Sequence, residues 1–274
     1  MRSITWDNPD WPEVPPGRMI ALARGVLTGL WTGAGFLVFG LVRLAELAAV
    51  RGARRWSPWV AVATYRGGLR LVGLGYVQEG SPMPGPGLIV ANHVGWLDIF
   101  ALGAAAPVTF VAKSEVRRWP GIGLLARGIG TLFLNRERRA EAGAQVAEIA
   151  RRMRAGERLL VFPEGTSTDN DRVLPFKPTL FAAITAPGLP EPRAVQPVTL
   201  VYEDERGDPR RYGWWGEMSF GRHLAATLSG RQGRVRVIYH APIPVTEATD
   251  RKALARQAED AVRAGLSRSR RPAP

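Results

Sequence analysis

The chain opens with a proline-rich, partly acidic stretch (1–17) carrying two tryptophans, and then changes character. Residues 25–42, GVLTGLWTGAGFLVFGLV, run 18 positions without a charge, bounded by Arg18 and Arg24 before and by Arg43, Arg51, Arg54 and Arg55 after. That length is the lower limit for crossing a bilayer core. A helix lying in one leaflet fits the glycine-rich pattern equally well, and a buried soluble helix is the third reading. If the segment spans, the arginine excess places the bulk of the chain in the cytoplasm. Residues 54–72 mix Trp56, Trp59 and Tyr65 with arginines, as an interfacial helix does, so 19–72 reads as a membrane-associated helical hairpin.

Past residue 72 the pattern becomes short apolar runs alternating with helical periodicity. Strands are predicted at 75–78, 87–91, 108–112, 131–134, 158–162, 195–202 and 235–239, and helices at 97–105, 121–128, 136–155, 178–186 and 249–266. Such alternation predicts an α/β fold, a mostly parallel central sheet of about seven strands flanked by helices. The organisation expected is an N-terminal arm (1–18), the hairpin (19–72), one α/β domain (73–266) and a frayed basic tail (267–274).

Composition narrows the chemistry. With no cysteine, disulfides, Cys-ligated zinc, iron–sulfur clusters and thiol nucleophiles are excluded. Only His93, His223 and His240 can supply an imidazole, and their spacing suggests no metal site. The formal charge is +13, yet 34 of the 37 basic residues are arginine, a skew that coding bias explains as well as function. No nucleic-acid-binding motif accompanies the charge, and no nucleic-acid partner is expected.

The densest signal is Asn92-His93-x4-Asp98 at the end of an apolar strand. Five residues apart on one helix would put the two side chains about 140° apart, so they meet only if the chain turns, and Gly95 offers the turn. A carboxylate on one imidazole nitrogen would leave the other free as a base; a helix-capping Asp beside an unrelated histidine is the alternative. A second cluster, Phe162-Pro163-Glu164-Gly165-Thr166-Ser167, ends another apolar strand, where ligands gather in open α/β sheets. A third is Gly130-x2-Phe133-x2-Arg136, and Val195-Gln196-Pro197-Val198 is a fourth.

Taken in their order along the chain, the four clusters resemble the glycerophospholipid (1-acylglycerol-3-phosphate) acyltransferase family over roughly residues 70–245. The resemblance implies that His93 is the general base for an acceptor hydroxyl attacking a fatty-acyl thioester, and that Asp98 orients it. It places Asn92, Phe133, Arg136, Glu164, Gly165 and Thr166 on the acceptor side, with Pro197 tied to the acyl donor. It implies acyl carrier protein or coenzyme A as donor carrier, no bound cofactor, a membrane surface as partner, and the cytoplasmic side of the inner membrane as location. A serine elbow of the Gly-x-Ser-x-Gly type is absent, in keeping with direct transfer.

One position departs from the lysophosphatidate pattern. Where an arginine usually follows Glu-Gly-Thr, this chain has Ser167, so the bidentate phosphate fork is missing. Lys177 offers only a point charge in exchange. The run from Thr166 to Lys177, with Trp214-Trp215-Gly216-Glu217-Met218, is similar to the subgroup acting on lyso-ornithine lipid, and Asp169 and Asp171 are candidates for its ammonium. The acceptor expected is therefore lyso-ornithine lipid or a related lyso-amino-acid lipid, with lysophosphatidate as alternative. A non-catalytic membrane adaptor keeping this fold is disfavoured by the presence of both His93 and Asp98.

Overall fold

The structure is a computed structural model and describes residues 17–50, 54–119, 122–134, 142–204, 210–230 and 232–270. Two helices lead: α1 (Arg18–Ala49) and α2 (Ser57–Val72). Then follow β1 (Leu74–Glu79), β2 (Gly87–Ala91), α3 (Leu97–Gly103), β3 (Thr109–Lys113), α4 (Ile122–Gly128), β4 (Leu132–Leu134), α5 (Ala142–Arg154) and β5 (Arg158–Val161). The long β6 (Arg193–Glu203), α6 (Phe220–Ser229), β7 (Gly233–Tyr239), β8 (Ile243–Val245) and α7 (Arg251–Arg270) complete it.

The sheet order is β1-β7-β6-β2-β5-β3-β4, with β8 paired to β6. Every pairing is parallel except those of β6 with β7 and β8. One face packs against α5, α7 and the segment around Phe181; the other packs against α2, α3 and α6, with Leu69 and Val72 of α2 inside the same core as Ile89, Leu97 and Leu200. The second helix of the hairpin thus belongs to the core of the domain it precedes.

The fold class is as expected, and all seven predicted strands are present within a residue or two. Four details differ. An eighth strand, β8, was not foreseen, nor was α6. Residues 178–186 were expected as a helix but form a single 3-10 turn (Pro178–Leu180) followed by further turns. The stretch is short, rich in β-branched and aromatic residues, and bounded by Pro178 and Pro187, so it nucleates poorly. The tail expected to fray from residue 267 stays helical through Arg270, whose guanidinium donates to the Asn170 carbonyl at 2.7 Å.

The first helix is held along its whole length. Arg24 donates to the carbonyls of Leu228 and Gly230, and the Trp31 indole to Thr64. Near its end, buried Glu46 accepts the backbone N–H groups of Arg55, Trp56 and Ser57 at 2.5–2.9 Å, closing the elbow into α2. Its other side shows Leu22, Leu30, Leu37, Leu41 and Leu44 to the exterior. Only 6% of its most apolar stretch is buried, which removes the soluble core-helix reading.

Candidate active site

The candidate site lies where β2 ends. After Ala91 the chain turns, and α3 begins within six residues, which brings His93 and Asp98 together: Nδ1 lies 2.7 Å from Oδ2. Asp98 is fully buried, and the turn is wound around its carboxylate. Oδ2 also accepts the N–H groups of Val94 (2.7 Å) and Gly95 (3.1 Å), while Oδ1 accepts the Tyr202 hydroxyl (2.9 Å). With three other donors already aimed at the carboxylate, Nδ1 joins as a fourth and carries its proton toward Asp98. That leaves Nε2 unprotonated in a side chain 25% exposed. The ring stacks on Phe162, with centroids 4.1 Å apart and planes at 17°.

Gly95 keeps an ordinary backbone conformation, so the turn does not need glycine for its torsion. It needs the space: a Cβ there would stand 3.1 Å from that of Trp214. The 212–218 segment lies directly against the site loop, with Trp214 N–H on the Val94 carbonyl at 2.9 Å.

The loop after β5 is the second wall, and its carboxylate is turned inward. Glu164 is 2% exposed, and neither oxygen faces outward. One accepts the His93 N–H (2.7 Å), the other the Leu174 N–H (2.8 Å). Burial pushes its carboxyl up to about 8, against the downward pull of those two bonds. Thr168 donates its N–H to the His93 carbonyl at 2.8 Å, so the loop grips both backbone groups of His93. Gly165 has φ +77°, and a Cβ there would lie 2.5 Å from Lys177 Nζ, which places that ammonium over the loop. Thr166 is exposed; the Ser167 hydroxyl is bonded to the Trp214 carbonyl. Asp169 is buried and paired with Arg172 at 2.5 Å; Asp171 is exposed.

Two asparagines finish the scaffold. β2 pairs with β6 only as far as Ala91 opposite Val198. Beyond that point the Asn92 amide accepts from Leu200 N–H (2.7 Å) and donates to its carbonyl (2.9 Å), and Asn170 does the same for Tyr202 (3.2 and 2.8 Å). Asn92 therefore braces the sheet and is fully buried. Pro197 lies in the sheet opposite Val90, at the changeover of β6 from β8 to β7, where its missing N–H breaks no ladder. Phe133 sits on β4, three strands from β2, about 14 Å away by strand spacing, and is not brought to the His93–Asp98 pair. Arg136 lies outside the described residues.

Tyr202 and the Trp96–His223 contact were missed in the sequence. Tyr202 is fully buried, and both burial and Asp98 push its hydroxyl well above the ordinary range. Its signal was only its place, four residues past Val198 on a strand flanking the motif strand. Trp96 donates its indole N–H to His223 at 2.9 Å, and burial lowers the His223 imidazole to about 4. Trp96 also walls an apolar cavity of about 320 Å³ with Phe36, Phe39, Tyr65, Phe100 and Phe220, between the hairpin and α3. Among the described residues no cluster of His, Asp or Glu fits a metal ion.

Residues 73–201 match the Acyltransferase family model. A lyso-ornithine lipid O-acyltransferase of Rhodobacter capsulatus is 46% identical over 96% of both chains. A 1-acyl-sn-glycerol-3-phosphate acyltransferase of Neisseria meningitidis is 31% identical over 70% of this chain and 74% of its own. The crystal structure of the 1-acyl-sn-glycerophosphate acyltransferase of Thermotoga maritima, at 22% identity, shares the fold with a TM-score of 0.67 over 94% of this chain and 98% of its own. With a turn that presents one imidazole nitrogen, and with this kinship over nearly its full length, the chain belongs to the lysolipid O-acyltransferases of the Acyltransferase family.

Proposed function

We propose that this enzyme moves a fatty acyl chain from a thioester of acyl carrier protein or coenzyme A to the free hydroxyl of lyso-ornithine lipid. The observation that carries the acceptor is the 46% identity, over 96% of both chains, to a relative of that name. Ser167 supports it: its hydroxyl is spent on Trp214, so the Glu-Gly-Thr loop offers no arginine fork to a phosphomonoester. Lys177, whose ammonium stands over that loop, suits a carboxylate, and exposed Asp171 suits an ammonium.

In this mechanism His93 Nε2 takes the acceptor hydroxyl proton as the oxygen attacks the thioester carbonyl. The tetrahedral intermediate collapses, the C–S bond breaks, and the leaving thiolate recovers that proton from His93. No acyl-enzyme forms. Asp98 keeps Nδ1 protonated and stabilises the transient imidazolium. Glu164 and Asn92 act as positioning residues, and the apolar cavity behind Trp96 takes an acyl chain.

The enzyme works from one leaflet in this reading. A helix bound to the protein body from Arg24 to Glu46 has no free length with which to cross a bilayer, whereas its exposed leucines suit burial in the plane of the membrane. The cytoplasmic leaflet of the inner membrane is where acyl thioesters are met. The test is a head-group panel with purified enzyme in detergent and an acyl carrier protein thioester. Acylation of lyso-ornithine lipid, with lysophosphatidate poorly used and His93→Ala inert, is expected. A preference for lysophosphatidate overturns the acceptor assignment and leaves the reaction class standing.

A further inference from the structure

A second large cleft lies away from the His93–Asp98 pair. Where β3 and β5 begin, a cleft of about 920 Å³ opens between the elbow of the hairpin and the sheet. A strand length, about 16 Å, separates this end of the parallel strands from the His93 end. Among the described residues six guanidinium groups line it, those of Arg43, Arg54, Arg55, Arg151, Arg152 and Arg158, against one carboxylate, Glu157.

Half of these charges are already answered. Arg43 pairs with Glu46, and Arg151 and Arg152 pair with Glu148, with Glu157 also on Arg152. Arg54 and Arg158 instead donate to carbonyls, of Ile129 (3.2 Å) and Met83 (3.0 Å). A carbonyl satisfies a donor without cancelling its charge. Burial lowers both guanidinium groups from their ordinary range, and the neighbouring Arg152 adds to the effect at Arg54. Glu157 and Glu46 offset part of the charge at Arg54, yet neither Arg54 nor Arg158 forms an ion pair among the described residues. Partly buried cations left unpaired are costly, and a cleft open to the outside lets a mobile anion supply the partner.

The surroundings select the anion. Trp56 and Trp59, 48% and 58% exposed, are close in sequence to Pro58 of the cleft lining, and Leu44 and Leu47 are exposed near the end of α1. Tryptophans beside an apolar helix face mark the head-group level of a membrane, and arginine forks match phosphate oxygens. We propose that the cleft holds the phosphate of an anionic glycerophospholipid whose chains stay in the leaflet against α1 and α2. This goes beyond the acylation reaction, because the bound lipid is neither acceptor nor donor.

Vesicle sedimentation tests it, comparing phosphatidylcholine alone with phosphatidylcholine containing phosphatidylglycerol. At roughly fivefold per arginine near the surface, the pair Arg54→Gln/Arg158→Gln should cost the phosphatidylglycerol preference about tenfold or more. The pair Arg251→Gln/Arg256→Gln, on exposed positions of α7, removes equal charge from the other face of the sheet and should keep most of it. Turnover of detergent-dispersed substrate should be unchanged in both. If the first pair fails to fold, Arg55→Gln replaces it, since Arg55 makes no side-chain hydrogen bond among the described residues, and it should lose more than Arg251→Gln alone. Equal losses from both faces, or no preference for phosphatidylglycerol, overturn the site. So does a melting shift that saturates with inorganic phosphate alone, or a first pair that loses an acidic carrier protein and keeps the vesicles.

Discussion

The loops that follow β2 and β5 lie side by side and divide the work unequally. The first exposes the edge of the His93 ring and part of Trp96, and buries Asn92, Val94, Gly95 and Asp98. The second carries more polar side chains, yet Glu164, Thr168 and Asn170 all point into protein, toward the backbone of His93 or of β6. The lesson is that a polar cluster at the carboxyl end of a strand is not of itself a substrate contact. One loop presents the His93 ring, and its neighbour holds that ring's backbone still.

That division can be broken from either side. His93→Ala should remove about a thousandfold or more of the acylation rate while leaving thermal unfolding nearly unchanged, because the ring is partly exposed and its backbone bonds remain. A well-folded variant with full activity would falsify the base assignment. Asp98→Asn should cost about a hundredfold in kcat and also lower the melting temperature, since an amide cannot accept from all of the donors that the carboxylate serves.

Glu164→Gln probes the second loop. It retains His93 and Asp98 and should cost about 1–3 kcal/mol in stability by turning an amide donor toward one of two buried N–H groups. The pH dependence gives a sharper readout. The native carboxyl is raised to about 8 from an ordinary 4.5, so the folded state holds a proton that the unfolded chain has released. The stability it contributes is complete below about 4.5 and declines as pH rises to about 8. Glu164→Gln should flatten that stretch of the stability profile, and an unchanged slope would show that Glu164 does not titrate there.

The smallest effect is expected from Tyr202→Phe. Losing one of the donors on Asp98 should lower kcat only a few-fold, in line with about 1 kcal/mol for a hydrogen bond. A merely structural tyrosine would change the melting temperature and leave kcat in place.

The pattern of apolar runs was enough for the parallel sheet, because strands buried on both faces stand out as short continuous runs. β8 was lost because three residues with Pro244 among them carry no period. α6 was lost although Ser219 followed by Phe220, Leu224 and Leu228 has helical spacing; Gly221 inside it weakens the signal. In the site, His93 and Asp98 were legible because the need for a turn is an argument about geometry. The roles of Glu164 and Asn92 were not, since a side chain bonded to distant backbone looks the same in sequence as one bonded to a ligand. Tyr202 was hidden for a related reason: its partner is 104 positions away.

The two asparagines that continue β6 past the end of β2 say something about why there is room for a substrate at all. β6 runs on through residues 199–203 with no β2 backbone beside it. An unpaired stretch of that kind would ordinarily recruit another strand, from this chain or another. Here two amide side chains occupy the hydrogen-bonding line in its place, each the width of a single peptide group. The crevice is thus a strand left unfinished and sealed along its raw edge, and extending β2 by a few residues should close the enzyme without touching a catalytic group.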